Sequence, residues 1–470
     1  MLNLLCLLFS LFYQPDLWRH YPAMDQIGSI TFSNRQIYIA VPDGIYILDL
    51  LSHRHLRTIT AADGITDKIR FCAFSPSTRE LLIAGTENLY QFIPATGRVN
   101  PLHPPFSRIR SIAIAANGAF FETELGLFRK TGPNDRYQPG ASIAEPVRWY
   151  GEKDTISLRN WTFLTPYYIM DEQLTPKPLT RAYPEERTGR LYVTCPGYGV
   201  IIYNLRSGIR IGELRPGPTA AEVSTIIPAG TNRWFFTRTG TLLLDSTGSW
   251  HHFPDRSGEL SFNRITSLLP PALAELNRQE PIRTLHQFRN RTYIGTDYNL
   301  YILDSTGTLE PLLHLNRPVN AIAQVRDSLL IGTDNGLLLL ADDTLTPVTD
   351  PYARFDFGVY SIARTAEAAF FGTIGRILML DQNNTWSQLL PPGFDLAQPV
   401  RTLTAAQNLL FVADRSGIYI LNIKTGTWTT LDRTNGLAAL PVTALYADER
   451  YLWIAAPGII SRYEYAKQLR

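Results

Sequence analysis

A repeat of about forty residues constrains this chain more than any other feature. Its clearest copy is Ser328 to Leu340, SLLIGTDNGLLLL. Leu329, Leu330 and Ile331 form one apolar run and Leu337 to Leu340 the next, with Thr333-Asp334-Asn335-Gly336 between them. Asn335-Gly336 supplies the positive φ angles of a tight hairpin. Strands that are apolar without alternation are covered on both faces, and a lone hairpin is marginal, so each copy must stack on neighbours. The last apolar residue before the turn recurs as Ile39, Ile83, Phe121, Phe163, Val193, Phe236, Ile294, Ile331, Phe371, Val412 and Ile454, mostly 37 to 44 residues apart. That is the period of a four-stranded propeller blade. The Phe163–Val193 interval is short and the Phe236–Ile294 interval long. Phe163 is the weakest copy, because FLTPYYIMD carries Pro166 where the others have glycine or a polar residue.

Each unit reads as four strands. The first alternates with period two, as in Val319-Asn320-Ala321-Ile322, Val359-Tyr360-Ser361-Ile362, Val400-Arg401-Thr402-Leu403 and Val442-Thr443-Ala444-Leu445. The second ends at the marker. The third follows the turn and closes on Asp49, Asp304, Asp381 or Asn422, residues that cap turns. The fourth is often opened by tryptophan: Trp250, Trp386, Trp428. Trp18-Arg19-His20-Tyr21 reads as a fourth strand without its unit, and Arg462-Tyr463-Glu464-Tyr465 as a third strand without its successor. The expected fold is therefore all-β, a propeller of about ten or eleven four-stranded blades closed by the amino-terminal strand. A single propeller holds about four to eight blades, so two propellers in tandem are expected, with one wide ring as the alternative. The expected division is 1–17 leader or anchor, 18–255 first propeller part with about six blades, 256–281 insertion or crossover, and 282–470 second part with about five blades. Pro270-Pro271 and a short helical pattern at Ala272 to Asn277 mark the crossover.

With 44 basic and 42 acidic residues the net charge is +2, which gives no electrostatic case for nucleic acid or an anionic membrane. Leu2 to Phe12, LNLLCLLFSLF, is the only long apolar stretch and resembles the hydrophobic region of a secretory signal. No Lys or Arg precedes it and no Ala-x-Ala-like cleavage site follows it, so an uncleaved anchor or a buried strand is the alternative. Membrane insertion is expected nowhere else. Cys6, Cys72 and Cys195 suggest no disulfide framework.

Candidates for chemistry are few. His53-x-His55 would put two rings on one side of a strand but has no matching ligand cluster, and His251-His252 alternates faces on an outer strand. Asp245-Ser246-Thr247-Gly248-Ser249-Trp250 has the residue types of a sialidase turn with the wrong Asp-to-Gly spacing. No Gly-x-Ser-x-Gly elbow and no phosphate-cradling glycine loop is present. No cofactor or metal is expected. Glu87, Asp297, Asp334 and Asp414 occupy equivalent turns, which a ring gathers on one face, and the same turns hold Arg238, Arg376, Arg415 and Tyr198. A face mixing Arg, Asp and Tyr suits a protein, peptide or glycan partner. Paired acids at a defined separation would also suit a carbohydrate hydrolase or lyase.

LLIGTDNGLLLL, together with Thr434-Asn435-Gly436-Leu437, Pro441-Val442-Thr443-Ala444-Leu445 and Leu452-Trp453-Ile454-Ala455-Ala456, resembles the two-component-regulator propeller repeat. Ala62-Asp63-Gly64-Ile65 and Ile83-Ala84-Gly85-Thr86 follow the same pattern. The resemblance covers most of the chain, strongest from Ile282 onward and weakest from Tyr150 to Thr180. The family includes periplasmic sensing ectodomains of hybrid histidine kinases and free-standing exported proteins, among them an accessory propeller of the type IX secretion system. Trp18 to Asp49 is similar to the start of the second group. No kinase or membrane-spanning segment follows Tyr465 in this sequence. The resemblance therefore implies a free-standing, non-enzymatic scaffold in the periplasm or on the surface of a Gram-negative-type bacterium, engaged in secretion or sensing. A carbohydrate-active propeller is the alternative.

Overall fold

The computed structural model describes residues 13–467 except 117, 131–135, 141–142, 144–146, 155–156, 172–173, 220–221, 238–239, 255–270, 326, 342–343, 350, 353–357 and 395–396. Among these residues the chain forms eleven antiparallel sheets, nine of four strands, one of five and one of two, so the repeat is a blade repeat. We number the ten larger sheets I to X by the position of their innermost strand. Sheet VII contains the clearest repeat: Val319–Val325, Ser328–Thr333, Gly336–Ala341 and Thr344–Val348, paired in that order.

The I-G-T signature explains how one sheet accepts the next. Gly332 lies against the first residue of sheet VIII's inner segment. A Cβ there would stand 2.9 Å from Val359 Cγ1 and 3.0 Å from the Val359 carbonyl oxygen. The buried Thr333 hydroxyl donates to the Gly336 carbonyl at 3.0 Å and seals the turn. The Thr333 carbonyl accepts from the Val359 N–H at 2.8 Å, and Thr296 and Thr373 receive Val319 and Val400 in the same way. Turn chemistry and sheet-to-sheet packing are thus written in the same three residues.

Packing between sheets follows two circuits. Sheet I (29–59) packs on II (69–102), II on III (109–151), and the inner strand of IV, Ala182–Glu185, returns to Ser29–Phe32 of I. One core runs through all four, from Ile30 and Tyr46 to Phe71, Ile112, Tyr150 and Tyr192. The other faces of III and IV are covered by Ile143 and Val147, and by Leu158, Trp161, Leu164, Tyr167, Ile169 and Leu179 around the two-stranded sheet Tyr168–Met170 and Pro176–Pro178. This is the reduced eleventh unit. Phe163 sits in a 3-10 turn, Thr162–Leu164, and not at a strand end, as Pro166 in that copy foreshadows.

The second circuit runs from sheet V (Val223–Pro254 at its ends) through a core shared with VI, then VII, VIII and IX to X, and returns to V. Thr443 Oγ1 donates to the Val223 carbonyl at 2.7 Å across the closing seam. Tyr21, Phe235 and Trp453 share one core there. The strand Trp18–Pro22 completes sheet X by pairing with Ile459–Tyr463. The first circuit is therefore inserted between the last strand of X and the first strand of V. The chain leaves and returns at one place, where Met24 N–H donates to the Pro218 carbonyl at 2.7 Å.

Two boundaries differ from expectation. The partner change comes between the strand that ends at Leu214 and the one that starts at Val223, ahead of the 256–281 crossover, because sheet V packs on X and VI; among the described residues the units number five and six, with V in the second group. Residues 255–270 lie outside the described residues. The crossover helix Pro271–Gln279 packs Leu273 and Leu276 into the V–VI core. The packed body also begins before Trp18. Leu17 is buried among Leu437, Ile418 and Tyr465, whereas residues 1–12 of the expected leader lie outside the described residues.

Candidate functional site: the mouth of the second circuit

Each innermost strand of the second circuit begins with a buried aliphatic residue, Val223 or Val319, or follows one two positions on, Ile282, Val359, Val400 or Val442. The next residue cannot point into the same seam, since side chains alternate along a strand. In V and VII a bulge assists: pairing jumps from Val223 to Thr225 and from Val319 to Ala321, leaving Ser224 and Asn320 out of the ladder. Bulges at sheet rims commonly re-aim a side chain. The result is one cavity of about 650 Å³ to which each of the six sheets gives the residue after its buried aliphatic, Ser224, Arg283, Asn320, Tyr360, Arg401 and Thr443; Thr237, Pro281, Ile282, Asp297 and Thr402 complete the lining. Its size falls in the range of ligand sites, about 300–1,000 Å³.

The polar groups of this mouth are arranged unevenly. In sheet VI, Arg283 Nε forms an ion pair with Asp297, and its Nη1 donates to Asn320 Oδ1 at 3.2 Å. Asn320 Nδ2 then donates to Asp334 Oδ1 at 2.6 Å and to the Val359 carbonyl at 3.3 Å. Asp297 and Asp334 are thereby drawn together through Arg283 and Asn320. On the far side the Arg401 guanidinium lies over the Tyr360 ring, 5.2 Å from its centroid, a cation–π arrangement. Among the described residues no carboxylate pairs with Arg401.

The register explains the difference. Thr284 pairs with Gly295 in VI and Thr402 with Ala413 in IX, so Asp414 corresponds to Thr296 and Arg415 to Asp297. Asp414 is thus one position out of line with the other turn acids, contrary to the expected equivalence. It does the threonine's work: Oδ1 accepts from Ser416 N–H at 2.7 Å and Gly417 N–H at 3.0 Å. Arg415 is exposed on that turn. Arg376 donates to Gln388 on the outer strand of VIII, away from the cavity lining. Arg238 lies outside the described residues.

The remaining candidates belong to the first circuit. Glu87 is exposed, and its N–H donates to Asp67 Oδ2 at 2.8 Å. Burial pushes the Asp67 carboxyl up, but hydrogen bonds from Tyr90, Glu87 and Asn88 outweigh it and hold the group below the usual range. Tyr198 is buried: its hydroxyl donates to Glu213 Oε2 at 2.8 Å, and the Arg215 guanidinium sits 3.7 Å from its ring centroid. In the cavity of about 730 Å³ at the first circuit's mouth, two of the three lining cations have carboxylate partners. Lys68 pairs with Asp43, Arg70 Nη2 meets Glu152 Oε1 at 2.9 Å, and Arg181 donates to the Gly28 carbonyl.

The histidine pair is split. His53 Nε2 meets Arg190 of sheet IV at 2.9 Å, whereas His55 Nδ1 meets Arg19 of the closing strand at 2.9 Å. No group of three or more metal-ligating side chains occurs among the described residues. Among them no helix is long and apolar enough to cross a membrane. Asp245 folds its Oδ1 onto Thr247 and Ser249 N–H at 2.9 and 3.0 Å, an ordinary Asx-type turn.

The residues missed in the sequence are those after the buried aliphatic: Ser224, Arg283, Asn320, Tyr360, Arg401 and Thr443. Their signal was present, since the V-x-x-I pattern is aliphatic at both ends and varied in its second position.

No protein-family model matches the chain, and no curated protein does. Solved structures with some likeness include PorZ, a surface component of the type-IX secretion system of Porphyromonas gingivalis. It shows 11% identity over 95% of this chain and 87% of that one, with a TM-score of 0.49. The extracellular domain of the two component system protein BT4673 from B. thetaiotaomicron shows 12% identity over 93% and 70%, with a TM-score of 0.36. Virginiamycin B lyase from Staphylococcus aureus shows 14% identity over 60% and 93%, with a TM-score of 0.36. At these scores none of the likenesses bears on function, and the propeller architecture rests on the sheets themselves.

Proposed function

We propose that this chain is a non-enzymatic scaffold of two propeller units that holds a protein, peptide or glycan partner at the mouth of the six-sheet circuit. One observation carries the reading. Six sheets each deliver the residue after a buried aliphatic into one cavity, and those six residues are of five kinds while the residues that build the seams are aliphatic throughout. Packing demands the repeated positions; it makes no demand that produces Arg, Asn and Tyr at the mouth. The repeat motifs and the apolar stretch Leu2 to Phe12 favour a place outside the cytoplasm, at the envelope of a Gram-negative-type bacterium, in secretion or sensing. Asp297 and Asp334 are occupied by Arg283 and Asn320, which favours a binding mouth over an acid–base pair.

The test is binding of the purified chain to arrays of peptides and oligosaccharides, repeated with the Asn320→Ala/Tyr360→Ala double variant. Partners lost by the variant support the mouth. Retention of every partner refutes it. Turnover of a polysaccharide that Asp297→Asn or Asp334→Asn abolishes replaces the scaffold with an enzyme.

A further inference from the structure

Resting on that reading of the mouth, we infer that Arg401 is an anchor for a ligand carboxylate and that the ligand is an acidic peptide. The repeat supplies its own comparison. Arg283 and Arg401 stand at the same position of sheets VI and IX, each one residue ahead of the strand that pairs with the turn. Arg283 is neutralised by Asp297 of its own turn. At the corresponding position sheet IX has Arg415, and its only nearby turn acid, Asp414, is spent on Ser416 and Gly417 N–H groups. Sheet IX thus carries arginine at both of the positions where sheet VI has a matched Arg–Asp pair. Arg401 is exposed on the cavity, and among the described residues no carboxylate pairs with it.

A planar guanidinium accepts a carboxylate through two parallel hydrogen bonds, which fixes orientation as well as charge. Tyr360 stiffens Arg401 by lying under it at 5.2 Å. The Thr402 hydroxyl, and the lone pairs of the Ser224 and Thr443 hydroxyls whose protons go to the Phe236 and Val223 carbonyls, offer hydrogen-bond partners to a peptide backbone. Sugar recognition commonly uses an open aromatic face, and here Arg401 lies over the Tyr360 ring, so the chemistry favours a peptide. The first circuit provides a contrast at two of its three cations, since its mouth pairs Lys68 with Asp43 and Arg70 with Glu152, while Arg181 donates to the Gly28 carbonyl.

The probes are a fluorescein-labelled hexapeptide of sequence Gly-Gly-Glu-Glu-Asp-Glu, its Gln/Asn counterpart with an amidated end, and labelled oligogalacturonate, read by fluorescence anisotropy on the full chain. The acidic peptide is expected to bind, to weaken as salt rises, and to lose about 10- to 100-fold in affinity on Arg401→Gln. Arg401→Lys keeps part of the affinity, since it retains the charge without the fork. Arg98→Gln, on the outermost strand of sheet II, leaves binding unchanged. An unchanged melting temperature in Arg401→Gln separates loss of anchor from loss of fold. Equal binding of the acidic and neutral peptides, no binding of the acidic one, or Arg401-dependent binding of oligogalacturonate alone overturns the inference. If neutral peptides or sugars still bind and Asn320→Ala/Tyr360→Ala abolishes it, the mouth stands while the anchor falls. If no probe responds to that double variant, both fall.

Discussion

The ion pair between Glu80 and Lys130 allows the sharpest quantitative prediction. Glu80 opens the second strand of sheet II, Glu80–Gly85, and Lys130 ends the third strand of sheet III, Gly126–Lys130. Lys130 Nζ lies 2.8 Å from Glu80 Oε1, and each residue is 4% exposed, so both charges have left water. Gln91 occupies the second carboxylate oxygen. At an effective dielectric constant of about 20 the attraction at that separation is about 6 kcal/mol. Desolvation costs several kcal/mol per ion, so the intact pair contributes little net stability. Breaking it is another matter, because the survivor stays buried without a counter-charge. Lys130→Met should therefore cost about 3–5 kcal/mol, whereas Glu80→Gln/Lys130→Met should cost well under the sum of the two single changes. Urea unfolding should be followed by hydrogen exchange in sheets II and III, because a chain of two circuits need not unfold in one step. A change below about 1 kcal/mol for Lys130→Met would mean that water reaches the pair. Additive single and double variants would refute the coupling.

Gly332→Ala should cost about 1–3 kcal/mol through overpacking, since the new methyl meets Val359 at 2.9 and 3.0 Å; exchange should rise at the VII–VIII seam, and an unchanged melt would contradict the close approach. Trp18 stacks on Tyr463 at 4.6 Å between ring centroids and donates to the Asn435 carbonyl at 3.0 Å. Trp18→Ala should cost about 3–5 kcal/mol and loosen sheets IX and X while sheets I to III keep their protection; equal loss everywhere would deny the separate circuits. Burial and the nearby Arg57 hold the His20 imidazole down at about 3. Its native state is neutral, so the stability it contributes is present above the unfolded value of about 6.5 and lost as pH falls from there toward about 3, at roughly 1.4 kcal/mol per unit. The slope of unfolding free energy between pH 6 and 4 should be shallower in His20→Gln by that amount, and equal slopes would remove the assignment.

The blades were legible because a blade is a local object. Hairpin strands lie close in sequence, and the runs around Asn335-Gly336 carry both the pairing and the turn. The closing strand was legible by complementarity and not by proximity: Trp18 to Pro22 and Ile459 to Tyr463 each lack a part that the other supplies. Even the reduced unit showed itself, through Pro166 in the Phe163 copy. The sequence by itself thus determined that the chain is a set of blades with one shared between its two end regions.

The tertiary structure decided which blades are neighbours. Every sheet presents apolar strands on both faces, so sheet V could serve a neighbour in either circuit; only the seam from Thr443 to Val223, 220 residues apart, assigns it. The mouth was hidden for the same reason. Asp414 and Asp297 look alike in sequence, yet one residue of register turns the first onto Ser416 and Gly417 and the second onto Arg283. Strand formation is fixed by residues within a few positions of one another. Ring closure and the meeting of six side chains depend on contacts across hundreds of residues, for which a repeating apolar pattern carries no address.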